Sequence, residues 1–140
     1  MHVVEGERWF AAPPERVFAL LTDPDVIASA LPAVRSHRIV HDDLWEAKVK
    51  VPLPLAPSLK IRFEVQERRP STHAALRARG PGADVLSRFD LSDHDGGTRM
   101  HWRTELALSG VLGRLAGPGL DAVARRQAER TLDAVERALG

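Results

Sequence analysis

Six histidines offer the first place to look for chemistry: His2, His37, His41, His73, His94 and His101. A metal site would want two of them one turn apart on a helix, or a His-x-His on a strand. Neither arrangement is present on the predicted elements. His101 falls on the polar face of a predicted strand and His94 in a turn, where an imidazole has no desolvated partner to make it a base. The acids Asp42, Asp43, Asp90, Asp93 and Asp95 are turn or outer-face residues, so no carboxylate is placed where burial would raise its pKa. The glycines of 110–113 and 117–119 lack the strand–turn–helix setting and the lysine of a phosphate loop. With no cysteine, disulfides and thiolate metal sites are excluded. No catalytic residue, metal or cofactor is expected.

The remaining candidates are polar and aromatic side chains on apolar faces. Ser87 and Thr104 fall on the inner faces of two strands, and Gln127 lies beside the apolar stripe of a helix. Each either bonds to nearby backbone or meets a polar group of a ligand. Trp45, Phe63, Phe89 and Trp102 are inner aromatics on four strands. They either fill a core or line a pocket.

The elements that position these residues follow from periodicity. Leu59, Ile61, Phe63 and Val65 alternate with Lys60, Arg62, Glu64 and Gln66, which predicts a strand with one dry face. Similar alternation predicts strands over 3–11, 34–40, 44–51, 73–79, 83–93 and 98–109. Pro14, followed by Glu15, opens a first helix, Asp23-Pro24 breaks it, and a second short helix runs from Pro24 to Leu31. Leu112, Leu115 and Leu120 have helical spacing, but Gly117-Pro118-Gly119 must interrupt it. Beyond that point Leu120, Val123, Ala124, Ala128, Leu132, Val135 and Leu139 form the stripe of one long helix. The loop 52–58, Pro-Leu-Pro-Leu-Ala-Pro-Ser, is nearly all apolar yet too rich in proline to pair. It offers Leu53 and Leu55 as a rim or interaction loop.

The expected fold is α+β: a single domain over 1–140, an antiparallel sheet of about seven strands wrapped on a C-terminal helix, with two short helices after the first strand. A curved sheet gripping one helix can leave an apolar cavity between them. The tentative lining is Trp45, Phe63, Val65, Ser87, Phe89, Trp102, Thr104, Val123, Ala124 and Gln127.

Three segments carry a family likeness: residues 12–24 (APPERVFALLTDP), 95–100 (DGGTRM) and 110–115 (GVLGRL). With the order of elements, they make the chain resemble the START-like helix-grip superfamily (SRPBCC) of polyketide cyclases and lipid carriers. Within it, the chain is most similar to the CoxG group, which is associated with carbon monoxide dehydrogenase. The resemblance implies an apolar cavity under the long helix. The expected function is therefore non-catalytic binding of a small hydrophobic molecule: a lipid, an isoprenoid quinone or a polyketide. A cyclase or hydrolase using the same cavity is the alternative, as is an interaction protein with a closed core.

The 140 residues carry 20 basic and 19 acidic side chains, a net charge of +1, which does not suit a nucleic-acid partner. No stretch approaches the ~18 consecutive apolar residues of a membrane span. The first residues, Met1-His2-Val3-Val4-Glu5, lack the basic and apolar regions of a signal peptide. The expectation is a soluble cytoplasmic protein, with peripheral membrane contact or a second copy of the chain as partners at the apolar loop.

Overall fold

The computed structural model describes residues 1–30, 36–41, 43–50, 55, 58–115 and 117–140. Leu31, the predicted end of the second helix, Val34 at the start of the next strand, Asp42, and the loop with Leu53 lie outside them.

The strands are β1 (His2–Phe10), β2 (Ser36–His41), β3 (Leu44–Lys50), β4 (Ser58–Arg69), β5 (His73–Gly80), β6 (Ala83–His94) and β7 (Gly97–Leu108). They form one antiparallel sheet in the order β1-β7-β6-β5-β4-β3-β2. Chain order and sheet order agree from β2 to β7 because each connection joins neighbouring strands. In the β6–β7 hairpin, Asp95 and Gly96 both take positive φ (49° and 78°). That backbone matches the right-handed twist of the strands it joins, and Asp-Gly adopts it readily. In the β5–β6 turn Pro81 precedes Gly82, whose φ of 76° is the glycine position of a type II turn.

Two helices, α1 (Pro14–Leu21) and α2 (Pro24–Ala30), carry the chain from β1 at one edge of the sheet to β2 at the other. Pro14 sits at the first turn of α1 and Glu15 follows it at the positive end of the dipole. Thr98, fully buried, donates its hydroxyl to the Ala12 carbonyl at 2.7 Å and ties this crossing to β7. The segment after β7 is more regular than its periodicity alone suggested. Gly110–Leu115 forms a separate short helix, α3, before the break at Gly117-Pro118. The long helix α4 then runs from Leu120 to Leu139.

The dry faces of sheet and helices meet in two apolar clusters. One joins Phe10, Val17, Phe18, Leu21, Phe89 and Met100 to Leu132 and Val135 of α4. The other joins Trp45, Val49, Leu59 and Ile61 of β3 and β4 to Ile27 of α2 and Leu112 of α3. On α4 Leu120, Leu132 and Val135 of the predicted stripe are buried, Ala134 is buried outside it, and the helix also packs on α1 and α2. Polar ties fix it to β1. Arg8 points to the concave side and pairs with Asp133 at 2.8 Å and with Glu136. Partial burial disfavours the Arg8 charge, but the hydrogen bonds to Asp133 and Glu136 outweigh it and raise the guanidinium pKa.

On the convex face Arg77 donates two hydrogen bonds to Asp84, at 2.9 and 2.7 Å. These bonds, with the nearby guanidinium charges, hold the Asp84 carboxyl below the usual carboxylate range. A lowered folded-state pKa contributes stability that is complete above the unfolded-state pKa and is lost as pH falls through the folded one. Asp84→Asn should therefore lower the denaturation midpoint at neutral pH, and the difference from wild type should vanish in strong acid. A difference independent of pH would contradict the assignment. Leu132, 1% exposed, is the main apolar anchor of α4. Leu132→Ala should cost about 2–5 kcal/mol in denaturant titration.

Candidate functional site

Between the two clusters the packing is open. A cavity of about 250 Å³ lies over the middle of the sheet, under the N-terminal half of α4. Its sheet wall is the inner row of β4 to β7, including Phe63, Leu76, Val85, Phe89, Trp102 and Leu106. Its helix wall is Val123, Ala124, Gln127, Ala128 and Thr131, with Leu132 at the far end. Ile27 and Leu112 line it from α2 and α3. Several inner-face side chains here, Leu76, Val85 and Leu106 among them, are only half-buried although their strands are interior. Space, rather than another side chain, lies against them. The small side chains of Ala78, Ala124 and Ala128 help keep that space open.

The polar groups in the cavity are few. Ser87 and Thr104 are directly opposite on β6 and β7, with their hydroxyl oxygens 3.1 Å apart. One hydroxyl donates to the other, so the pair still has a proton and lone pairs to offer. Gln127 donates from Nε2 to the Ala30 carbonyl at 3.0 Å, which anchors the amide to the end of α2. Thr131 donates to the Gln127 carbonyl one turn back. Arg77 also borders the cavity, but its guanidinium is turned to Asp84 on the convex face. Among the described residues no group of three or more histidines and carboxylates is placed to hold a metal ion.

Eight of the ten residues named from the sequence line this space: Phe63, Ser87, Phe89, Trp102, Thr104, Val123, Ala124 and Gln127. Trp45 does not. Its indole stacks on Phe63 with centroids 4.0 Å apart and planes 7° apart, so it supports a lining ring from behind. Val65 does not either. It lies two residues beyond Phe63, next to a register shift between β4 and β5, and is buried there. The sequence pattern places Leu76, Ala78, Val85, Leu106 and Ala128 on the same faces, so alternation and helical spacing would have found them. Ile27 and Leu112 come from short helices that the sequence indicates, by Pro24 and by the spacing of Leu112 and Leu115, without assigning either residue to the cavity. Leu55 is 95% exposed with φ 62°, between β3 and β4.

Trp102 is seated by a glycine. Gly6 lies directly opposite it on β1, and a Cβ there would fall 2.8 Å from Trp102 Cζ2. Arg125 of α4 lies over the same indole at 5.7 Å and donates to the Glu5 carbonyl. This contact joins one wall of the cavity to the helix above it.

A seven-stranded antiparallel sheet curved around a long C-terminal helix, with a cavity between them, defines a helix-grip domain. The chain belongs to the family described as polyketide cyclase / dehydrase and lipid transport, whose model matches residues 1–140. Solved structures share the fold. A conserved protein from Geobacillus kaustophilus superposes with a TM-score of 0.81 at 15% identity, over 98% of this chain and 94% of that one. A START superfamily protein from Mycobacterium smegmatis gives 0.76 at 14% identity, over 99% and 97%. Ara h 8.0201 gives 0.72 at 14% identity, over 98% and 96%. No curated protein matches the chain.

The hydroxyl pair can be tested by removing both members. Ser87→Ala with Thr104→Val leaves no unpaired partner, so stability should change little. Affinity for a ligand carrying a carbonyl or hydroxyl should fall about fivefold to tenfold, roughly one hydrogen bond, while a pure hydrocarbon probe binds as before. Equal losses for both probes would show that the pair serves packing only.

Proposed function

We propose that this protein binds a small hydrophobic molecule, such as a lipid, an isoprenoid quinone or a polyketide, between the sheet and α4 without transforming it. The observation that carries the reading is the half-buried apolar inner face: Leu76, Val85 and Leu106 on interior strands, and Val123 and Ala128 facing them, border open space. About 250 Å³ is just below the ~300–1,000 Å³ of common small-molecule pockets. The walls suit an apolar body, and the Ser87–Thr104 pair suits one polar group on it. The family description, polyketide cyclase / dehydrase and lipid transport, points to the same class of ligand.

Binding without turnover is preferred over cyclisation or hydrolysis because the described lining holds no carboxylate or imidazole to move a proton. Two hydroxyls without a base make a poor nucleophile. The likeness to the CoxG group rests on short sequence segments, and the ligand-binding reading needs no carbon monoxide dehydrogenase as partner.

Native mass spectrometry of the purified chain after incubation with a lipid extract is the direct test, with a bound mass that denaturation releases as the expected result. Ala128→Phe supplies the control, since it fills the cavity from the helix side. Uptake should be abolished while stability changes by less than roughly 1–3 kcal/mol, because the new ring enters empty space. If neither lipid extract nor an apolar fluorescent probe distinguishes wild type from this variant, the cavity is not a binding site.

A further inference from the structure

The end of the sheet that holds the β3–β4 and β5–β6 connections carries a basic excess among the described residues. On the convex face, next to that end, β3 carries Lys48 and Lys50, β4 carries Lys60 and Arg62, and β5 carries Arg77 and Arg79. The acids among them are Glu46, Glu64 and Asp84, so this patch has a net charge of +3 while the whole chain has +1. Lys48 stands directly opposite Lys60, and Arg62 directly opposite Arg79. Like charges facing each other across strands cost stability. Asp84, bonded twice by Arg77, lies 3.9 Å from Arg79, and among the described residues Lys48, Lys50 and Arg62 form no ion pair. Arg62, Arg77 and Arg79, with Glu64 and Gly80, line a cleft of about 360 Å³.

The patch runs up to an apolar rim. Leu55 lies between Lys50, the last residue of β3, and Ser58, the first of β4, and is 95% exposed. Val111 of α3 is 51% exposed beside Leu112, which is buried and lines the cavity. Gly82, in the turn after Arg79 and Gly80, accepts a hydrogen bond from the Ser109 N–H at 2.9 Å, and a Cβ on it would lie 3.7 Å from Leu112. Exposed apolar side chains bordered by unpaired cations fit a surface that is hydrocarbon within and anionic at its face.

We propose that this rim and basic patch dock the protein on an anionic lipid bilayer. Leu55 and Val111 enter the headgroup boundary, and Lys48, Lys50 and Arg62 meet lipid phosphates; Lys60 is already paired with Glu46 at 3.5 Å. The inference deepens the ligand-binding reading, and rests on it only in making the bilayer the source or destination of the cavity's ligand.

The test is co-sedimentation of the full chain with vesicles of phosphatidylcholine alone or with added phosphatidylglycerol, at low and high salt. Binding should need phosphatidylglycerol and should weaken with salt. Lys48→Gln, Lys50→Gln and Arg62→Gln should each weaken it about fivefold. Leu55→Ser should weaken it roughly tenfold without changing the charge. All four variants should keep wild-type circular dichroism and take up an apolar probe in vesicle-free solution as wild type does. Equal binding to neutral vesicles, no binding to anionic ones, or indifference to these substitutions would overturn the proposal. So would a Leu55-dependent dimer in solution that ignores vesicles, which would assign the rim to a second copy. Vesicle binding by a protein that takes up no probe would sink the ligand reading and leave the docking surface standing.

Discussion

The structure depends on α4 being gripped unevenly. Its C-terminal half is anchored by Leu132 and Val135 in the larger apolar cluster and by the Arg8 pairs with Asp133 and Glu136. Its N-terminal half is held at the margins instead, by Leu120, by Arg125 on the Glu5 carbonyl and by Gln127 on the Ala30 carbonyl. Between those supports Val123, Ala124 and Ala128 face the sheet across open space. A bulky side chain at 124 or 128 would have filled the gap between helix and sheet. The cavity therefore follows from where packing stops along one helix.

That opening has a cost. Apolar side chains that border unfilled space forgo the packing contacts that a filled core would give them. Whole domains are stable by only ~5–15 kcal/mol. The sheet offsets the cost elsewhere: Trp45 stacked behind Phe63 stiffens one wall, and Trp102 set against Gly6 stiffens another. A ligand that fills the space recovers part of the forgone contact and stabilises the fold by mass action.

The strands and the long helix were legible because each has one wet and one dry face, and alternation or helical spacing records that directly. Asp95-Gly96 and Pro81-Gly82 marked their turns because both need a conformation that few other residues adopt. The cavity was only half legible. Alternation puts Trp45 and Phe63 on inner faces, yet a single pattern cannot say that the first ring packs behind the second. Val65 has the same periodicity as Phe63 and is separated from the cavity by where the space ends, which depends on the register shift between β4 and β5. Ile27 and Leu112 belong to helices of 7 and 6 residues, too short for a stripe to stand out. Arg8 interrupts an otherwise apolar row of β1. Its partners are 125 and 128 positions away, so no local rule could have paired them.

Fold and surface lead to one physical arrangement. The turn after β3 and the helix α3 are short elements: Leu112 is buried against the cavity, while Leu55 and Val111 remain in water. An exposed leucine is tolerable singly. Set beside facing pairs of lysines and arginines, it belongs to a surface whose unfavourable terms cancel against a single kind of partner: the like-charge repulsion is relieved by phosphates, and the apolar exposure by hydrocarbon. Both reliefs occur at the end of the molecule where Ile27 and Leu112 line the cavity. Contact with a bilayer there would bring hydrocarbon to the same end of the molecule as the α3 wall of the cavity, which would shorten the path of a hydrophobic ligand through water.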